Sequence, residues 1–339
     1  MKKKIIALGV SAALSSPGIL MAEVALYGKA HVAVESETEI NDTGKDDGDV
    51  LSIVSHASRV GVKGSEDIGN GIKGLFKFEW QLDMADAGKV GVDVDEEDPA
   101  DIKAKVSNHI SARNQYVGLE GGFGTVLLGR HDTPLKMSQG KFDQFGDIYG
   151  DIARHFAGET RASNVLAYLT PKFGNFQIVG AYVPKEDKDN DKIISIAGIY
   201  GDDNLHGSLA YNSYDEAFNA GDSLLRATVT YKFGNFGVGG MYQTASPNGD
   251  GEDTDAVGVN GFMKAGSNKF KVQYVQGDGQ GDVGVKKAEI KEDASTISLG
   301  VDHGFSKRTT SYLALHQTTH DDDNKDDITN IGVGLIHKF

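Results

Sequence analysis

Arg226-Ala227-Thr228-Val229-Thr230-Tyr231-Lys232-Phe233-Gly234-Asn235-Phe236 sets Ala227, Val229, Tyr231 and Phe233 against Arg226, Thr228, Thr230 and Lys232, then breaks at Gly234-Asn235. Side chains of a strand alternate between two faces, so this period of two predicts a strand with one apolar and one polar face. The break is a tight hairpin turn, in which Gly and Asn supply the positive φ that other residues resist. The same turn recurs as Lys172-Phe173-Gly174-Asn175-Phe176, and Ser65 to Gly71, Gly121-Gly122-Phe123-Gly124 and Gly266-Ser267-Asn268 hold equivalent places.

Working outward, the pattern repeats along the chain. In 24–35, Val24, Leu26, Ala30, Val32 and Val34 oppose Lys29, His31 and Glu35; in 72–83, Ile72, Phe76, Phe78, Trp80 and Leu82 oppose Lys73, Lys77, Glu79, Gln81 and Asp83. Around 296–302, Ile297, Leu299 and Val301 oppose Thr296, Ser298 and Asp302. Alternation alone fits either a soluble sandwich or a membrane barrel. Three features choose the barrel. The strands run about ten residues, enough for a tilted strand to cross a hydrocarbon core of about 30 Å. Connections alternate between short turns and long acidic loops (36–50, 84–111, 184–192, 244–255, 277–293, 319–327). Aromatics such as Phe176, Tyr182, Phe236, Tyr242, Phe270 and Tyr274 end the apolar faces, as interface girdles do.

The pattern predicts sixteen strands, near 23–36, 51–65, 71–83, 112–120, 123–131, 163–170, 174–183, 193–200, 205–214, 223–233, 235–244, 255–265, 268–276, 294–304, 308–319 and 328–339. An even number puts both termini on one side and lets the last strand pair with the first, leaving no open edge in lipid. The expected fold is therefore an all-β, sixteen-stranded antiparallel transmembrane β-barrel forming one domain over 23–339. Short turns face the periplasm and long loops the outside.

The N-terminus fits that compartment. Met1-Lys2-Lys3-Lys4, a short apolar run from Ile5 and Met21-Ala22 read as a secretory signal peptide over 1–22. Its removal takes away three lysines and no acids, moving the formal charge from −15 to −18. No cysteine is present, which excludes a disulfide scaffold, a thiolate metal site and a Cys nucleophile together. After the signal no run of about twenty apolar residues occurs, so no helix is expected to span a membrane. Glycine at 44 residues against 6 prolines, with 12 tyrosines and 15 phenylalanines, favours strands and turns.

Chemistry is sparse. Among the ten histidines, His31, His131, His155 and His316 have no Ser or Asp beside them in a catalytic arrangement, so no enzyme is expected. The acidic runs Asp187 to Asp191 and Asp321 to Asp327 lack the Gly and Glu spacing of a calcium-binding hand and read as solvated external loops. No metal or cofactor is expected, and the charge disfavours nucleic acid.

Several stretches carry a family resemblance: Leu26 to Ala30, Ser58 to Asp67, Arg113 to Leu119, Phe123 to Arg130, Ser306 to Thr309, and a last strand whose Ile331, Val333, Leu335, His337 and terminal Phe339 share one face. Together and in order they resemble the Gram-negative trimeric porin family, especially its neisserial-type branch, along the whole mature chain. The resemblance implies an outer-membrane homotrimer amid lipid and lipopolysaccharide, and a water-filled channel for passive diffusion of ions and small hydrophilic solutes. It implies a C-terminal strand closed by Phe339 as the signal to the barrel-assembly machinery, and an inward-folded constriction loop over 132–162. In the family, acids on that loop face basic residues on the wall. By position these are Asp143, Asp147 and Asp151 against Lys29, Arg59, Arg113 and Arg161.

Opposed charges across a narrow throat orient polar solutes and penalise apolar ones, a filter that needs no chemistry. Four positive against three negative groups predict weak ion selectivity, cationic at low salt because the acidic loops then contribute. The alternative is a substrate-selective porin for oligosaccharides, with Phe142, Phe145 and Tyr149 as a stacking slide.

Overall fold

The strand at 226–233 lies at the centre of β13 (Ser223–Phe233) and pairs across its Gly234-Asn235 turn with β14 (Phe236–Ser246), Phe233 opposite Phe236. The computed structural model describes residues 23–40, 46–86, 90–94, 102–106, 110–184, 192–214, 222–247, 251–280, 290, 293–321 and 325–339. The expected signal peptide and the acidic run 187–191 lie outside the described residues.

The first half of the wall comprises β1 (Glu23–Ile40), β2 (Asp46–Ser55), β3 (Ser58–Gly69), β4 (Ile72–Leu82), β7 (Ile110–Gly121), β8 (Gly124–Asp132), β9 (Arg161–Leu169) and β10 (Phe176–Val183). β5 (Val90–Val94) and β6 (Ile102–Val106) form a separate hairpin between β4 and β7. The wall continues through β11 (Ile193–Gly201), β12 (Leu205–Tyr214), β13, β14, β15 (Thr254–Ala265), β16 (Asn268–Asp278), β17 (Asp293–Gly304), β18 (Thr309–His320) and β19 (Asp327–Lys338). Each strand pairs antiparallel with its neighbours, and β1 pairs with β19 from Lys29↔Lys338 to Ile40↔Asp327, closing the sheet. β2 and β3 are two halves of one stave, both lying against β1 and separated by a kink at Ala57, whose φ is 45°. Among the described residues the barrel thus has sixteen staves, as the alternation predicts.

Two loops differ from expectation. Residues 36–50 are mostly paired, β1 running to Ile40 and β2 starting at Asp46, and 84–111 contains the β5/β6 hairpin. Above the hydrocarbon both faces of a strand meet water, so backbone pairing continues there without an alternating pattern.

Closure is sealed at the C-terminus. Gly28 N donates to Phe339 O at 3.0 Å and Phe339 N to Gly28 O at 3.2 Å, while the Phe339 ring lies over the Gly28 α-carbon. A side chain at position 28 would enter that ring.

The core is the reverse of a soluble protein's. Outward residues such as Leu26, Leu128, Leu209, Val259 and Val333 are exposed, as are Phe176, Tyr182, Phe236, Tyr242, Phe270 and Tyr274 at the ends of that band. Inward residues are small or polar and many are buried, including Ser195, Asn212, Arg226, Gln243, Gln273, Thr296 and His316. The burial comes from the segment between β8 and β9, which packs inside the barrel.

Candidate functional site

Residues 133–160 enter the lumen through a short helix, α1 (Pro134–Ser138), that pattern reading had not resolved; Thr133 caps it, accepting from Lys136 N at 3.3 Å, and Pro134 begins it. Pro is suited to the first turn because its missing N–H has no helical partner there. A 3-10 turn at Ile152–Arg154 follows, capped by Asp151.

Apolar side chains fasten this loop to the wall. Phe142, Ile152 and Phe156 pack against Met241, Ala256 and Val275, and Phe145 and Ile148 against Ala33, Tyr312 and Ala314. The wall accommodates two of the rings with glycine: a Cβ at Gly258 or Gly300 would stand 2.8 Å from the ring of Phe142 or Phe145. Each ring so buried contributes about 1.5–3 kcal/mol, far more than thermal energy, so the loop is a fixture of the lumen.

Polar contacts repeat the attachment. Arg226, fully buried on β13, donates to Glu159 Oε1 at 2.5 Å, Gln243 Oε1 at 2.8 Å and Ala157 O at 3.1 Å. Gln273 Oε1 accepts from Gln144 N at 2.9 Å, and Asn260 donates to Phe142 O at 2.7 Å.

The tip of the loop meets a basic wall. Lys29 Nζ donates to Asp147 Oδ2 at 2.7 Å, and Arg59 Nη1 stands 4.0 Å from the same oxygen. Asp147 has φ 71°, a left-handed conformation that Asp tolerates better than most residues, and its N–H donates to Asp151 Oδ2 at 2.7 Å. Burial works to raise the Asp147 carboxyl's pKa, but the charge and hydrogen bond of Lys29, with Arg59 and Arg113, outweigh it and hold the group below the ordinary carboxylate value.

Arg113 donates to Glu79 Oε1 at 2.9 Å and Gln81 Oε1 at 2.8 Å; Arg161 reaches Asp132 Oδ1 at 3.0 Å and Asn114 Oδ1 at 2.7 Å. Two register shifts bring these groups together. Phe78 pairs with Gln115 but Trp80 with Ala112, so Arg113 and Asn114 together oppose Glu79. β8 and β9 shift likewise between Gly129 and His131, beside Asn164 at φ 57°. Bulges re-aim side chains next to functional sites, and the first interrupts the period of two at Arg113 and Asn114.

Of the three expected loop acids, the structure brings Asp147 alone to the basic side chains. Asp143 is spent within the loop and its seat, accepting from Phe145 N at 2.8 Å, Ile152 N at 3.3 Å and Gln273 Nε2 at 3.4 Å. Burial and the neighbouring Asp151 push its carboxyl well above the ordinary value. Asp151 accepts from the backbone N–H groups of Asp147 and Ala153. Neither pairs with Lys29, Arg59, Arg113 or Arg161 among the described residues. Glu79, Asp132 and Lys77, which lies 3.4 Å from Glu79, stand with the basic residues instead. Alternation put Lys77 and Glu79 on the inner face but gave no depth along the pore.

An aqueous cavity of about 930 Å³ opens above the tip, lined by Gln81, Arg113, Asp132, Asp147, Tyr149 and Arg161 among others. Phe142 and Phe145 do not reach it as a stacking slide: both are buried against the wall, and Tyr149 carries the Arg154 guanidinium 4.0 Å from its ring centre.

A closed β-barrel with an apolar outer band, a polar lumen and a loop packed inside it defines a channel-forming outer-membrane protein. The chain belongs to the Gram-negative porin family, whose model matches residues 7–324. It is similar to the "Major outer membrane protein P.IB" of Neisseria meningitidis serogroup A, 26% identical over 389 residues and covering 100% of both chains. The protein of the same name from Neisseria lactamica is 26% identical over 367 residues, again over 100% of both. Among solved structures, the anion-selective porin from Comamonas acidovorans superposes with a TM-score of 0.71 at 23% identity, over 94% of this chain and 100% of that one. OmpT of Vibrio cholerae, in its trimer form, gives 0.66 at 18% identity, over 94% and 99%. These two likenesses are of fold. The protein is thus an outer-membrane porin, a water-filled channel for ions and small hydrophilic solutes.

Proposed function

We propose that residues 133–160 constrict this channel and that the charges beside their tip filter what passes. The observation that carries the reading is Asp147, held in a left-handed conformation and aimed at Lys29 and Arg59. Around it Lys29, Arg59, Lys77, Arg113 and Arg161 stand against Glu79, Asp132, Asp147 and Asp151, five positive groups to four negative. The throat itself therefore favours anions. The acidic external loops oppose this at low salt, and their influence fades within a Debye length of about 8 Å at physiological ionic strength. The weak selectivity expected from a four-to-three balance, cationic at low salt through the acidic loops, becomes a weak anion preference at salt high enough to screen those loops.

The general-diffusion reading is favoured over an oligosaccharide-selective one because Phe142 and Phe145 are consumed in packing. Homotrimer assembly, export through a signal peptide over 1–22, delivery to the assembly machinery through Phe339 and contact with lipopolysaccharide complete the proposal. The OmpT fold relative was solved as a trimer, which supports the first. The reversal potential of Arg59→Ser in a salt gradient tests the filter: a shift toward cations is expected, and an unchanged reversal potential and conductance would remove Arg59 from the throat.

A further inference from the structure

A second cavity, of about 340 Å³, lies on the side of the loop that faces the short turns. Its volume is at the lower end of the range of about 300–1,000 Å³ typical of small-molecule sites. Its walls carry the cations Lys29, Arg59, Lys271 and Lys338 and the acids Asp147 and Asp302. Lys29 is paired with Asp147, and Lys271 with Asp302 at 2.8 Å. Arg59 has only a 4.0 Å share of Asp147, and Lys338 has no carboxylate partner among the described residues. The chamber therefore keeps an uncompensated positive charge.

Its other lining groups include apolar ones. Ile336 occupies the inner face of β19, where Asn330, Gly332, Gly334 and Lys338 also sit, yet it is a half-buried apolar side chain. It joins Ile148 of the loop, Phe145 and Tyr312 in one apolar cluster at the chamber. Small hydrated ions gain nothing from such a surface, and a neutral sugar gains nothing from the charge beside it. An uncompensated charge beside an apolar patch matches a solute with the same two parts.

We infer that this chamber binds organic monoanions with an apolar body, aromatic carboxylates above all, as they leave the throat toward the periplasm. The carboxylate is held by Arg59 and Lys338 and the ring lies against Ile148 and Ile336, so such solutes dwell where acetate or chloride passes freely. The inference rests on the reading of residues 133–160 as the constriction. It adds a solute class that simple filtering by charge does not distinguish.

Single-trimer conductance in a planar bilayer tests it, with benzoate, acetate and benzamide added in turn to the wild-type protein. Benzoate is expected to produce saturable, short-lived blocks; acetate lacks the ring and benzamide the charge, so neither produces them at equal concentration. Ile148→Asn, on the loop, and Lys338→Gln, on the last strand, should each raise the half-blocking benzoate concentration about tenfold, the equivalent of 1.4 kcal/mol. Ile148→Asn keeps the test open if the terminal-strand variant does not assemble. Acetate or benzamide blocking as well as benzoate, or benzoate block unchanged in Ile148→Asn, would overturn the assignment. Failure of the filter itself shows elsewhere, in an Arg59→Ser reversal potential that does not move.

Discussion

Lys29 on the first strand and Asp147 on the inserted loop are joined across 118 positions of sequence by a 2.7 Å hydrogen-bonded ion pair. The pair does two things at once. It ties the loop tip to the wall, and it sets an anion beside the cations Lys29 and Arg59, the arrangement from which the proposed filter draws its transverse field.

Replacing Asp147 by Asn removes the carboxylate nearest Lys29 and Arg59, and the reversal potential should move further toward anions. The pH dependence has a definite sign. Because the Asp147 pKa lies below its unfolded value of about 3.9, its contribution is present above that pH and is lost as pH falls through the lower folded value. Asp143 acts in the opposite sense, its raised pKa making its seat most favourable at acid pH. The part of the ion selectivity that depends on the Asp147 charge should therefore persist down to about pH 4 in the wild type and be lost below it. In Asp147→Asn that acid change should be absent; its persistence would assign it to another group.

Arg226 and Glu159 form the buried end of the same attachment. Removing one partner leaves a charge without compensation, at a cost of about 3–5 kcal/mol, whereas replacing both by apolar residues of similar volume costs much less. A double-mutant cycle of Arg226→Met and Glu159→Leu, read by thermal unfolding of the trimer, should show each single variant less stable than the double. Additive losses would mean that the pair does not hold the loop.

Gly28 is the seat of the Phe339 ring at barrel closure. Gly28→Val should displace that ring and lower stability by about 1–3 kcal/mol, the usual cost of overpacking. Gly180→Ala is the matched control, since no atom lies within 4 Å of a Cβ there. The folded fraction on unheated gels should fall for the first and not for the second.

The wall was legible in the sequence because lipid on one side and water on the other force a period of two: Ala227, Val229 and Tyr231 could face only outward once Arg226, Thr228 and Thr230 faced inward. Where that constraint lapses, legibility lapses too. Pairing of Glu37 with Val50 above the membrane left no alternating trace, nor did the β5/β6 hairpin. Parity also specifies a face but not a depth. Glu79 and Arg226 were readable as inward, yet nothing in the pattern set one against Arg113 and the other beneath the loop. The roles of Asp143 and Asp151 depended on which backbone N–H groups the loop turns toward them, a property of its folded path.

The constriction itself is tested most directly by single-trimer conductance and solute exclusion after deleting residues 140–152, which removes Phe142, Phe145 and Asp147 together. A folded trimer with higher conductance, a larger exclusion limit and weaker ion selectivity is the expected result. A folded trimer whose conductance and exclusion limit match the wild type would contradict it, because the loop would then lie outside the path of the solute.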